Sequence, residues 1–273
     1  MKYGIAGSGQ MAATEVARVL RKAAEAGVEL LDTAPAYGES ESVIGKISLR
    51  EPVGGVVTKV AVDAVSAADV RSSCLKSLER LRRTSLYGLL VHRTNSLLEL
   101  NGCEIWKELE ALKEEGKVER IGVSVYSPQE MSVLLDKFPL DMIQVPLSVL
   151  DQRMIRSNLL KKAKDMGVEI HARSVFLQGI LLMDEHSIPK HLSGLIESVQ
   201  LFRLRSSLGG ASCLASAISF VRQQKEVDRI VIGIDSMKHF IEIINAFDCI
   251  LDINFSDLEV RSLDLIDPRK WID

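Results

Sequence analysis

Four side chains in the first half of the chain, Asp32, Tyr37, Lys59 and His92, form a set that could deliver a proton to a carbonyl oxygen. A phenol with an ordinary pKa near ~10 is a poor acid at neutral pH. A neighbouring ammonium favours the phenolate, and a carboxylate beside that ammonium keeps it charged and oriented. This reasoning predicts a lowered pKa for Tyr37. A histidine at the same mouth could donate a hydrogen bond to the substrate oxygen. No side chain carries hydride, so a reduction built on this set needs a nicotinamide cofactor. Taken singly, each residue has a plainer use: Asp32 capping a turn, Lys59 solvated, His92 partly buried, Tyr37 packing with a wet hydroxyl.

To act together these residues must be carried to one place. Short apolar runs at Val28–Leu31, Val56–Val57, Leu86–Val91, Ile121–Val123, Met142–Ile143, Val168–Ile170 and Ile230–Ile232 are too short for helices. Their unbroken apolarity predicts strands buried on both faces. Between them lie stretches with helical spacing: Thr14–Ala26, Ala67–Leu81, Ile105–Glu115, Gln129–Leu135, Ile155–Met166, Cys213–Gln224 and Phe240–Phe247. Gly27 stands where the first helix must end. Alternation of this kind gives an α/β fold with a parallel sheet. Polar residues close run after run: Asp32, Lys59, His92, Ser124, Gln144, then Arg173 and Ser174. An open sheet gathers its ligand groups near one switch point, whereas a TIM-type (β/α)8 barrel collects them from many strands on one face. Six contributing segments favour the barrel. No Gly-x-Gly-x-x-Gly joins a strand to a helix, so a Rossmann half is disfavoured.

Composition narrows the class. The 273 residues are 47% hydrophobic and 26% charged, enough apolar material for one large domain over residues 1–273, with no linker-like stretch dividing them. Lys and Arg total 34 against 37 for Asp and Glu, a net charge of −3, which leaves no electrostatic footprint for nucleic acid. No apolar run approaches the roughly 20 residues of a membrane span, and the opening residues lack a secretory core. Cys74, Cys103, Cys213 and Cys249 are far apart, and the histidines pair neither with them nor with one another at metal-ligand spacing. No metal site is expected, and reduced cysteines fit a cytoplasmic protein.

The stretches Asp32-Thr33-Ala34-Pro35-Ala36-Tyr37-Gly38, Thr58-Lys59, Leu89-Leu90-Val91-His92-Arg93 and Lys117-Val118-Glu119-Arg120-Ile121-Gly122-Val123-Ser124 resemble the aldo-keto reductase family. So do Gln144-Val145-Pro146-Leu147, Arg173-Ser174-Val175-Phe176-Leu177-Gln178-Gly179 and Val231-Ile232-Gly233, in family order across nearly the whole chain. The resemblance implies an eight-stranded barrel that binds NADPH, or NADH, without a Rossmann domain and reduces a small aldehyde or ketone. It implies Tyr37 as the acid, Lys59 and Asp32 as its tuners, and His92 as the group that orients the substrate. Ser124 and Gln144 would hold the nicotinamide carboxamide, with Arg173 and Ser174 beside the ring. Gly233, Ser236, Lys238 and Glu242 fall in the family's adenosine-phosphate clamp.

Three departures qualify the match. Val125 stands where many members have Asn. Asp235 sits in the clamp, where its charge would oppose a 2′-phosphate. Met1–Gln10 reads as the loop after the family's first strand, leaving at most a remnant of that strand at Lys2–Ile5. An open barrel edge would follow, with weakened cofactor binding and a surface through which copies could associate. Similarity of Tyr3-Gly4-Ile5-Ala6 and the Arg173 stretch to bacterial members of surface-carbohydrate pathways suggests a sugar-derived carbonyl. Two other readings stay open: a barrel that binds nucleotide or a protein partner without turnover, and a cofactor-retaining lyase or epimerase.

Overall fold

All seven apolar runs become strands of one parallel sheet. The computed structural model describes residues 11–49 and 54–271. The strands are β1 (Leu30–Asp32), β2 (Gly55–Lys59), β3 (Leu86–Val91), β4 (Val118–Ser124), β5 (Met142–Pro146), β6 (Glu169–Arg173) and β7 (Arg229–Ile230), paired in sequence order. Helix α1 (Ala13–Glu25) precedes β1, and α2 (Ser40–Ile47) follows it; α3 (Ala67–Leu81) lies between β2 and β3. Beyond β3 come α4 (Asn95–Leu98) and α5 (Gly102–Glu114), then α6 (Pro128–Lys137) after β4. Helices α7 (Arg153–Arg156) and α8 (Leu159–Asp165) separate β5 from β6. Helices α9 (Ile196–Leu208) and α10 (Cys213–Arg222) precede β7, and α11 (Met237–Phe247) follows it.

Local chemistry explains the helix starts. Ser66 and Asp69 form a capping box on α3, Ser127 caps α6 with Pro128 in its first turn, and Ser212 and Ser236 cap α10 and α11. Gly27, at φ +77°, ends α1 as its position predicts. The stretch Ile155–Met166 is two helices rather than one, because Asn158 takes a left-handed conformation at φ 57°.

The main core lies between the sheet and α3, α5 and α6, where Leu81, Leu89, Leu109 and Leu112 are fully buried. The inner face follows from the two-residue period of strands. Leu30, Val57, Leu90 and Met142 meet inside the sheet. Two residues on along each strand direction stand Asp32, Lys59, His92 and Gln144, one level nearer the C-terminal ends. The sheet curls, since side chains of strands that are not neighbours meet across it: Gln144 of β5 bonds Asp32 of β1, and Tyr87 of β3 bonds Glu169 of β6.

The first-strand segment Lys2–Ile5 lies outside the described residues, so the described sheet has seven strands, with β1 and β7 at its ends. Side-chain contacts link those ends. Arg229 forms an ion pair with Glu29, just before β1. Outside the sheet, Val19 and Ala23 of α1 pack on Phe240 of α11. No described helix is long and apolar enough to cross a membrane.

Candidate active site

The C-terminal ends of β1, β2 and β5 place three polar side chains in a bonded row. Lys59, 1% exposed, donates to Asp32 Oδ1 at 2.6 Å and to the Thr33 carbonyl at 3.0 Å. Burying an ammonium costs several kcal/mol unless it is paired, and these two acceptors supply the pairing. The other carboxylate oxygen of Asp32 accepts from Gln144 Nε2 at 2.9 Å, and Ser124 Oγ lies 3.4 Å from Gln144 Oε1. Ser124 and Gln144 are register partners on β4 and β5, which is why they meet. Both are almost fully buried.

Tyr37 comes from the short turn Pro35–Tyr37 between β1 and α2. Its ring centroid is 5.2 Å from the Lys59 ammonium, within cation–π range. The expected lowering of its pKa does not hold. Desolvation of the phenol, and next the Asp32 carboxylate, push its pKa well above the ordinary value, opposed only by Arg173. Withdrawing the phenol from water disfavours its charged form first, and the Asp32 carboxylate nearby disfavours a second negative charge. Tyr37 therefore holds its proton across the physiological range. An alkoxide forming beside it is a stronger base than a phenolate, so proton transfer to such an oxygen is still downhill.

His92 follows β3. Burial first, then the charges of Lys59 and Arg173, depress its pKa from 6.5 to about 4, so it is neutral near pH 7. Its Nδ1 is buried with no hydrogen-bond partner among the described residues. Arg173, the last residue of β6, donates to the Val125 carbonyl at 3.0 Å and to Ser174 Oγ at 3.2 Å. The position where an Asn side chain is missing thus meets the Arg173 guanidinium through its backbone. Ser174 sits at φ 61°.

Sequence reasoning overlooked Tyr126 and Arg269. The Arg173 guanidinium lies 4.2 Å from the Tyr126 centroid and Arg269 4.1 Å from it. Arg269 is held by Asp267 at 2.7 Å and Glu130 at 3.2 Å. An aromatic residue two positions beyond Ser124 was the available signal for Tyr126; nothing in the sequence tied Arg269 to it.

The clamp residues form a second group after β7. Ser236 accepts from the His239 amide as the N-cap of α11, and Lys238, 86% exposed, lies 3.9 Å from Glu242. Gly233 lies in the loop before them. Asp235 pairs with His239 Nδ1 at 3.0 Å, and Glu15 of α1 accepts from the Met237 amide at 3.1 Å. The start of α11 thus carries two carboxylates beside Ser236 and Lys238.

The model of the Aldo/keto reductase family matches residues 1–266. An aldo-keto reductase of Bacillus subtilis is 30% identical over 177 residues, which cover 59% of this chain and 52% of that protein. The chain spans about half the length of the first curated relatives it matches. L-galactose dehydrogenase of Arabidopsis thaliana is 26% identical over 87% of this chain and 79% of its own. Among solved structures, an aldo-keto reductase from Bacillus halodurans superposes with a TM-score of 0.76 at 20% identity, covering 88% of this chain and 84% of that one. A glycerol dehydrogenase from Gluconobacter oxydans gives 0.74 at 23% identity, covering 95% and 88%. These structural likenesses carry the fold, and the fold of such neighbours is the (β/α)8 barrel.

Proposed function

The chain belongs to the aldo/keto reductase family, a family of oxidoreductases, and on that premise we propose that it reduces an aldehyde or ketone to an alcohol with NADH or NADPH. The observation that carries this reading is the Lys59–Asp32 pair at 2.6 Å, set beneath the Tyr37 ring and at the same end of the sheet as a neutral His92. The buried amide of Gln144 and hydroxyl of Ser124 suit a carboxamide, because each keeps hydrogen-bonding capacity beyond the bond they share. A bound dinucleotide would supply hydride. In this reading Tyr37 donates its proton to the substrate oxygen as charge develops there. Lys59, fixed by Asp32 and the Thr33 carbonyl, offsets the phenolate left behind. His92 orients the carbonyl as a neutral hydrogen-bond donor. Arg173 presents a planar guanidinium where many members of the family stack an aromatic ring on the nicotinamide.

Cofactor choice rests on the start of α11. Ser236 and Lys238 favour a 2′-phosphate, whereas Asp235 and Glu15 oppose it, so NADH competes more evenly with NADPH than the clamp motif alone implies. Purified protein assayed for NADH and NADPH oxidation against simple aldehydes and keto sugars tests the proposal. Turnover with at least one carbonyl supports it; dinucleotide binding without turnover on any would overturn it in favour of a binding barrel.

A further inference from the structure

The most buried carboxylate among the described residues is not in the row just described. It is Glu41, in the first turn of α2, 1% exposed. It accepts from Thr58 Oγ1 at 2.6 Å and from Arg80 Nε at 2.7 Å. Thr58, fully buried, immediately precedes Lys59 on β2. Beside Glu41, Ser40 Oγ accepts from Thr33 Oγ1 at 2.9 Å. Thr33 and Ser40 bracket the segment that carries Tyr37, so this bond closes the base of that loop. The Thr33 carbonyl is also an acceptor for the Lys59 ammonium.

Helix α2 is fixed on its other side as well. A Cβ on Gly45 would stand 2.1 Å from the Arg80 carbonyl oxygen, so α2 lies closer to α3 than any side chain would allow. The start of α2 is therefore tied to the end of β1, to β2 and to α3. A tie between helices alone would not require a charged group in so dry a place, where an unpaired carboxylate costs several kcal/mol. What the Glu41 carboxylate adds is a short directional bond to the residue next to Lys59, made from the helix that follows Tyr37.

We propose that Glu41 is a positioning residue, which through Thr58 fixes Lys59 of β2 against the loop that carries Tyr37. Tyr37 and Lys59 come from different elements, and no hydrogen bond joins them directly among the described residues. The Thr33 carbonyl ties Lys59 to the start of that loop, and Glu41, through Thr58, ties β2 to its end. The kinetic consequence rests on the reductase reading, since misplacing an acid and its charge partner by about 1 Å can cost on the order of 100-fold in rate.

Thr58→Val removes the hydroxyl while keeping shape, Thr58→Ser keeps the hydroxyl, and Glu41→Gln keeps an acceptor but removes the charge. Thr58→Val and Glu41→Gln are expected to lower kcat by about 10-fold or more, with carbonyl KM and dinucleotide affinity within about two-fold of the parent. Thr58→Ser should restore kcat. In the ligand-free chain, the ring resonances of Tyr37, assigned by their loss in Tyr37→Phe, should move in Thr58→Val and Glu41→Gln and stay in place in Thr58→Ser. Native kcat with unmoved Tyr37 resonances in folded Thr58→Val overturns the proposal. So does a fall in kcat that only tracks lost dinucleotide affinity. If Glu41→Gln does not fold, Thr58→Val decides alone. Should the parent reduce no carbonyl, the reductase reading fails while the resonances still decide the positioning role.

Discussion

Strand β6 begins at Glu169 and ends at Arg173, and the polar clusters at its two ends are finished differently. At the start, the Glu169 carboxylate is bonded to the Tyr87 hydroxyl at 2.7 Å, His171 Nε2 at 2.9 Å, Arg120 Nε at 3.1 Å and Arg229 Nε at 3.5 Å. Burial pushes its carboxyl pKa up, but the bonds from Tyr87 and His171 and the Arg120 charge outweigh it and hold the carboxyl below the usual range. Near the other end, His92 Nδ1 is buried without a partner, the Tyr37 hydroxyl makes no hydrogen bond, and Arg173 touches backbone, a hydroxyl and a ring rather than a carboxylate, all among the described residues. A saturated polar cluster holds structure together. One that keeps unmet capacity is arranged for something that arrives later.

The sharpest way to break this contrast is to remove the proton donor. Tyr37→Phe should lower kcat by about 100-fold or more while dinucleotide affinity, followed by fluorescence titration, changes only a few-fold. Retention of most of the parent kcat would show that the acid lies elsewhere. At the opposite end the sign reverses. Glu169→Ala removes the acceptor shared by Tyr87, His171 and the half-exposed Arg120, while Arg229 keeps Glu29, and should cost about 1–2 kcal/mol of stability in urea unfolding, with kcat of the folded fraction unchanged. Because the folded carboxyl pKa is lowered, this contribution is fully present above the ordinary carboxylate value and disappears as pH falls through the lowered one. Parent and variant stabilities should therefore converge in acid.

A smaller effect belongs to His92. Its pKa falls from 6.5 to about 4 on folding, so the unfolded chain binds more protons between those values. Stability should decline as pH drops through that window, and His92→Gln should flatten the slope in a pH series of melting temperatures. An imidazole resonance titrating near 6.5 would contradict the burial argument. The smallest effect concerns the start of α11. Asp235→Ser should improve NADPH binding relative to NADH by roughly 1 kcal/mol if the carboxylate faces the 2′-phosphate. An unchanged ratio would show that Asp235 does not face the 2′-phosphate.

Strands β2 to β6 were legible because burial leaves a nearly unbroken apolar signature, and β1 and β7 carry a similar run although they are only half-buried. Their ends were less so: β1 begins at Leu30 rather than Val28, and β7 stops at Ile230 although Val231 and Ile232 continue the pattern. Helix α9 escaped notice because Leu201, Leu204 and Leu208 face solvent, which removes the usual division into apolar and polar sides. Asp32, Lys59 and Gln144 were legible as polar residues closing apolar runs. Glu41 was not, since a carboxylate in a short polar stretch reads as a solvated surface charge; only the close approach of α2 to α3 buries it. The pKa of Tyr37 was misjudged in direction because spacing reveals neither the desolvation of the phenol nor how close the Asp32 carboxylate comes to it.

The contacts that join the two ends of the sheet have a consequence for how the chain is made. Every strand pairs with its neighbour in sequence, so the sheet can grow strip by strip as the ribosome delivers it. The Arg229–Glu29 pair spans 200 positions and the Met237–Glu15 bond 222. Neither can form until nearly the whole polypeptide has emerged. Through most of synthesis Glu29 and Glu15 wait without these partners. The two ends of the described sheet are joined last, by the contacts with the longest reach, so the fold is completed by its most sequence-distant residues.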